Sequence, residues 1–180
     1  EDSKNGCAYS LYNIITPKVG LSYIENMNFS KIVQQDYTLS SGLGGLHHGT
    51  NTVEMANAYS TLENHGEYRQ ADCISSILDA SGNEIYEEPE SKTVYTRSAS
   101  DQMTDILEGV LNSSAGTAKG LKWSSASDVA AAAKTGTTND NKVAWVLWIY
   151  TVLIRISVWV GYDYPKSVKG LWGNTYPAYI

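Results

Sequence analysis

The sequence predicts an α/β (α+β) sandwich in which an antiparallel sheet carrying Lys134 to Thr138 and Arg155 to Tyr162 is covered by helices near Cys7, Pro17 and Asp101. Three observations predict it. Ile156, Val158 and Val160 alternate with Ser157 and Trp159, the period of a strand with two unlike faces. Met103, Ile106, Leu107, Val110 and Leu111 recur at helical spacing as one unbroken face. Val129 to Ala133 leads into Lys134-Thr135-Gly136, and alanines that small let a neighbouring helix pack closely on a strand.

Taken in order, the chain opens with Ser3-Lys4-Asn5 and an amphipathic segment from Cys7 to Ile15, with Ala8, Leu11, Tyr12 and Ile15 at helical spacing. Thr16 as cap and Pro17 at the first helical position start a second helix, whose buried stripe is Val19, Tyr23, Ile24 and Met27. A polar loop with Gly42, Gly44, Gly45 and Gly49 follows. Asn51, with Glu54 three residues on, caps a helix running to about Leu62, with Val53, Ala56, Tyr59 and Leu62 inward. Tyr68 to Tyr86 reads as a hairpin turning at Asp79 to Asn83, and Glu87-Glu88-Pro89-Glu90 as a solvated acidic linker. Ser98 or Ser100 caps the next helix, Asp101 sits in its first turn, and Ser113 to Thr117 ends it. After a loop through Gly120 and Trp123, Asp128 leads into the alanine strand.

The 180 residues suffice for one core and are short for two, so 1–180 is read as one domain or part of one. A hydrophobic fraction of 42% with net charge −6 suits a globular protein and argues against nucleic-acid binding through a basic patch. Cys7 and Cys73 are too few for a disulfide framework and are expected to be small buried hydrophobes. His47, His48 and His65 lack the spacing of a metal-ligand set and are read as loop residues, so no metal and no cofactor is expected. The longest apolar run, Val143 to Ile154, is shorter than the roughly 18 to 20 residues that span a bilayer, so any membrane attachment is expected to lie in segments absent from this chain.

The chemistry concentrates at Ala133 to Asp140, which combines a lysine cation, a glycine that leaves the backbone approachable, and hydroxyls at alternate positions. On a strand, Thr135 and Thr137 share one face, with Lys134 and Gly136 on the other or at the edge. Such an edge pairs with an extended peptide, its hydroxyls and cation hold a carboxylate, and a backbone N–H faces a developing oxyanion. A threonine-rich turn is the plain alternative. A phosphate-cradling loop is excluded because Ala130 to Ala133 supply no glycine before the lysine.

The string Lys134-Thr135-Gly136-Thr137-Thr138-Asn139-Asp140 resembles the transpeptidase domain of class A penicillin-binding proteins. Ser3-Lys4-Asn5, followed by a helix and then Thr16-Pro17-Lys18-Val19-Gly20, resembles the same family's second motif. Leu43-Gly44-Gly45-Leu46 through Val53 to Tyr59 resembles its scaffold. The resemblance runs from Ser3 to about Tyr176. It implies the penicillin-binding-protein/β-lactamase-like transpeptidase fold. It also implies D,D-transpeptidase chemistry: a serine attacks the peptide bond between two terminal D-alanines of a peptidoglycan stem peptide, and the acyl group passes to an amine of a neighbouring stem. β-Lactam antibiotics acylate the same serine. Carried over by position, Ser3 belongs to the proton relay and Asn5 hydrogen-bonds the substrate amide. Lys134 supplies positive potential and contacts Ser3. Thr135 and Thr137 bind the terminal carboxylate, with Gly136 and Thr138 in the same substrate-binding strand and the Thr137 N–H as an oxyanion donor. The implied location is the extracytoplasmic face of the bacterial membrane.

Three departures qualify what the chain does alone. The family's Ser-x-x-Lys nucleophile motif lies upstream of Ser-x-Asn, and only two residues precede Ser3, so the chain is read as a C-terminal part of the domain, inactive by itself. A non-catalytic peptidoglycan or β-lactam binding module, a degenerate gene product and a serine β-lactamase relative are the alternatives. Ala133 stands where the family usually has glycine. From Val143 to Ile154 the family's turn residues give way to an apolar run, and the pattern resumes at Ser157-Val158-Trp159-Val160-Gly161. A local reading-frame slip produces that pattern, and the stretch is expected to cost the hairpin its turn and expose apolar surface.

Overall fold

The computed structural model describes residues 2–121, 130–150 and 154–180. Its helices are α1 (Asn5–Ile15), α2 (Pro17–Asn26), α3 (Thr52–Glu63) and α4 (Arg97–Asn112). Its strands are β1 (Glu67–Tyr68), β2 (Lys92–Thr93), β3 (Ala131–Thr137), β4 (Val143–Tyr150) and β5 (Ile154–Gly161). β1 and β2 form a small antiparallel pair, while β3-β4-β5 form an antiparallel sheet in that order. The expected α+β architecture is therefore present, with β3 at one edge of the sheet.

The core lies between α4 and the sheet. Leu107, Val110 and Leu111 of α4 pack with Ala118, Ala132, Ala133 and Ile149, and Tyr59 and Leu62 of α3 close the cluster. The alanines let α4 sit directly against β3, and Ala133 is fully enclosed. α3 lies against β5 and β4, where Arg155 pairs with Glu63 at the helix's last residue.

The run from Val143 is not the exposed apolar surface expected of it. As β4 it is bonded to a strand on both sides, with Ala144, Val146, Leu147 and Ile149 all buried. A central strand covered on both faces is continuously apolar, so the lost polar alternation marks a central strand. The turn between β4 and β5, with Thr151, falls outside the described residues, as do Trp123, Asp128 and Val129.

Several helical details differ from expectation. α1 has no buried residue and packs with α2 on the 3-10 turn Leu39–Leu43, not on the sheet. Its anchor is Tyr12, whose ring fills the space that side chains at Gly20 and Gly42 would occupy and whose hydroxyl meets Ser41 Oγ at 2.9 Å. In α2 Leu21 is buried, as is Met27 at its C-cap, whereas Val19 and Tyr23 are exposed; Tyr23 stacks on Tyr95 at 5.4 Å. Val53, in the first turn of α3, is 61% exposed. α4 is capped by Thr96, whose Oγ1 accepts the Ala99 N–H at 3.3 Å, so Asp101 falls beyond its first turn and bonds His65. Met103 and Ile106 are 43% and 50% exposed, so the buried stripe narrows to Leu107, Val110 and Leu111. Tyr68 joins β1 instead of a long hairpin; a single bridge, Leu78 to Glu84, remains of it, closed around Asp79. Cys7 and Cys73 are both exposed, Cys7 on α1, which buries no residue, and Cys73 outside any helix or strand.

Asp36 and Glu54 hold the long loop before α3. Asp36, fully buried, accepts the Val33 N–H at 2.8 Å and the His47 N–H at 2.6 Å. Glu54 accepts from Ser30 N at 2.9 Å and Thr50 Oγ1 at 2.8 Å while Asn51 Oδ1 caps its own N–H at 2.8 Å. Burial pushes the Asp36 carboxyl up, but the two amides, with His47 and His48 nearby, outweigh it and hold it below the ordinary carboxylate value.

A depressed folded-state value means that this carboxylate's contribution is complete at neutral pH and is lost as pH falls through the depressed value. Asp36→Ala removes the acceptor of two part-buried N–H groups and is expected to cost about 1 to 3 kcal/mol in urea unfolding at pH 7. The deficit should shrink on acidification; a cost that stays constant down to pH 2 would contradict the assignment.

Candidate active site

β3 carries the residues singled out from the sequence, and its position decides what they present. Its inner edge is bonded to β4, with Thr135 opposite Val146 and Thr137 opposite Ala144. Thr138 N donates to Val143 O at 3.0 Å. In an antiparallel pair the direction of the backbone groups alternates, so the amides of Gly136 and Lys134 face β4 and those of Thr135 and Thr137 face outward. Among the described residues no strand pairs that outer edge. An unpaired edge of this kind can template an extended chain.

Lys134 reaches back along this edge. Its Nζ donates to Ser3 Oγ at 3.0 Å, joining residues 131 apart in the sequence, and also to the Thr135 carbonyl oxygen. Ser3 itself sits at φ 52° just before α1, a left-handed conformation that costs an L-residue about 1 kcal/mol. Asn5 is the exposed first residue of α1, two positions on. The structure thus brings Ser3 and Lys134 into contact and keeps Asn5 on the adjoining turn. Burial lowers the Lys134 pKa from its ordinary value, because the cation has exchanged water for neutral oxygen partners.

The threonines divide into three environments. Thr135 is buried, and its Oγ1 lies 2.6 Å from Thr117 Oγ1. Thr137 is exposed, and its Oγ1 accepts the Gly173 N–H at 3.0 Å. Thr138 turns inward on the backbone, accepting from Val143 N at 2.9 Å and Lys142 N at 3.2 Å, and so closes the turn between β3 and β4. Gly136 meets nothing nearer than Trp145 Cβ, 3.5 Å from where its own Cβ would be. The strand therefore presents one exposed hydroxyl, one half-buried cation and two outward amides along an open edge. That arrangement can hold a peptide in extended form, neutralise a carboxylate and donate to an oxyanion.

Thr117 and Gly173 were missed by the sequence reading. Thr117 follows the end of α4 in a stretch read only as a helix stop. Gly173 belongs to a C-terminal segment without periodicity; its one signal is a glycine between Trp172 and Asn174. His47 and His48 meet each other edge to face, and His65 pairs with Asp101.

Comparison with known proteins places this geometry. A family model described as the penicillin binding protein transpeptidase domain matches residues 19–167. Among curated relatives, penicillin-binding protein 4 of Bacillus subtilis is 31% identical over 172 residues, 95% of this chain and 27% of that protein. Penicillin-binding protein 1F of the same organism is 32% identical over 178 residues, 98% of this chain and 24% of its own length. The chain thus spans about a quarter of these relatives. Among solved structures, penicillin-binding protein 1A from Haemophilus influenzae superposes with TM-score 0.72 at 19% identity, over 98% of this chain and 32% of that one. PonA1 from Mycobacterium tuberculosis in complex with penicillin V gives 0.69 at 22%, over 86% and 45%. At these identities the structural likeness is one of fold.

The Thr117–Thr135 pair makes its own prediction. Thr117→Val keeps the shape and removes one hydroxyl, and is expected to cost about 1 kcal/mol in urea unfolding. With Thr135→Val added, the loss should be less than the sum of the single losses. Strict additivity would mean that the two hydroxyls do not interact.

Proposed function

The chain belongs to the penicillin-binding protein transpeptidase family, and from that premise we propose that residues 1–180 are part of one D,D-transpeptidase domain that cross-links peptidoglycan. The observation that carries this reading is the Lys134–Ser3 contact at the open edge of β3. A stem peptide adds to that edge as an extended strand. Asn5 and the outward backbone groups hold its amides, and the Thr137 hydroxyl with Lys134 takes its terminal carboxylate. The Thr137 N–H serves as one oxyanion donor, and loss of one such donor costs roughly 3 to 4 kcal/mol of transition-state stabilisation.

The nucleophile comes from outside these residues, since no lysine of the chain has a serine three positions before it. In the complete site a serine Oγ attacks the carbonyl between the two D-alanines and the C–N bond breaks. The terminal D-alanine leaves carrying the proton, relayed through Ser3 and Lys134. A stem-peptide amine then displaces the serine from the ester. A β-lactam follows the first half, with its ring amide as the bond that breaks. The protein so read works on the outer face of the bacterial membrane, with peptidoglycan stem peptides and β-lactams as partners. Thr135 and Gly136 shape the strand, and Thr138 fixes its turn.

Labelling with a fluorescent penicillin tests this directly. The 180-residue chain is expected to remain unlabelled, while a version extended upstream through the Ser-x-x-Lys segment is labelled. A folded but unlabelled extended version would favour the non-catalytic binding module instead.

Lys134 adds a pH signature. Because burial lowers its pKa, its charge is lost at a lower pH than that of an ordinary lysine. The alkaline limb of acylation in the extended protein should fall there, and Lys134→Arg, whose guanidinium stays charged, should move the limb upward. A limb that does not move assigns the titration to another group.

A further inference from the structure

We infer that Gly173 is a positioning residue for the carboxylate end of the ligand: its N–H fixes the Thr137 hydroxyl as a donor aimed outward at an anion. The inference rests on the transpeptidase reading and goes beyond it, since Gly173 lies on a C-terminal strap, 36 residues from Thr137, that bears no site motif.

A threonine hydroxyl both donates and accepts, and which it offers a ligand depends on what its neighbours have already claimed. A backbone N–H can only donate. The Gly173 N–H occupies an acceptor position of Thr137 Oγ1 at 3.0 Å, which leaves the hydroxyl proton for an outside acceptor. Thr135 cannot take this part, because it is buried and its hydroxyl is engaged with Thr117. Thr137 is the exposed hydroxyl of the pair.

The strap is built to keep that N–H in place. Leu171 and Pro177 are buried on either side of Gly173, and Val168 N donates to Asn141 O at 3.0 Å, tying the strap to the turn beyond β3. Thr175 Oγ1 accepts the Trp172 N–H at 2.9 Å and reaches Gly170 O at 3.0 Å, which curls the strap under Gly173. Gly173 then approaches β3 so closely that an added Cβ would stand 2.6 Å from Trp145 O, 2.8 Å from Thr135 Cβ and 3.0 Å from Gly136 O. These are strand atoms that cannot yield. Any side chain at 173 must lift the strap and break the bond to Thr137.

The experiment compares acylation of the upstream-extended protein by benzylpenicillin and by its methyl ester, which lacks the negative charge. The readout is the ratio of the two acylation rates, because a purely structural lesion lowers both and leaves the ratio alone. Gly173→Ala is expected to lower the acid-to-ester ratio about tenfold, the worth of one hydrogen bond to a charged group. Thr137→Val should lower it similarly, and the double variant should fall no further. Should Gly173→Ala melt at the temperature of the assay, Thr175→Ala loosens the same strap without adding an atom and should lower the ratio in the same direction. An unchanged ratio in the folded strap variants overturns the inference. A wild-type extended protein acylated by neither compound overturns the transpeptidase reading and this inference with it.

Discussion

Among the described residues β3 is paired along one edge only, with β4, and that is the constraint on which the rest depends. It fixes which amides of the Lys-Thr-Gly strand are spent inside the sheet and which face out. The alanines behind the strand allow this. With a larger residue at Ala132 or Ala133, α4 could not lie flat against β3. The strand would then lose the cover that holds its register. Register matters here more than in most strands, because a slip of one residue would exchange the inward and outward amides and send Lys134 to the opposite face.

What the sequence revealed and what it concealed follow from the range of the interactions involved. Strand alternation at Ile156 to Val160, the Asn51 cap and the core stripe of α4 are local, and each was legible. The link between Ser3 and Lys134 was legible only through family resemblance, since no periodicity connects residues so far apart. Periodicity marked Val19, Val53, Met103 and Ile106 as inward because they are apolar and well spaced, but it carries no information about what stands opposite. In this structure nothing covers them fully. The Val143 run misled for the converse reason. Its residues break the polar alternation of a half-exposed strand, and only the presence of β5 and of the C-terminal strap explains why they need none.

Thr117 and Gly173 belong to a third kind. Each acts through one hydrogen bond to a strand contributed by another segment, and a single threonine or glycine in a loop has no distinguishing pattern. Both contacts converge on the hydroxyl face of β3, so that face is held from upstream by Thr117 and from downstream by Gly173. The motif supplies the hydroxyls, and residues outside it hold them in place.

The electrostatics of the site lead to the same ligand. Lys134 has given up much of its hydration for Ser3 Oγ and a backbone carbonyl, neutral partners that repay only part of the loss. A cation in that state is stabilised most by an anion that arrives from outside, and by linkage such an anion must raise the lysine's pKa by as much as the lysine strengthens its binding. The nearest fixed donors, the Thr137 hydroxyl and the outward amides, need the same complement. Among the described residues no carboxylate bonds Lys134. On the proposed reading, its desolvation favours an arriving carboxylate over an empty edge, which would couple occupancy of the edge to the lysine's charge.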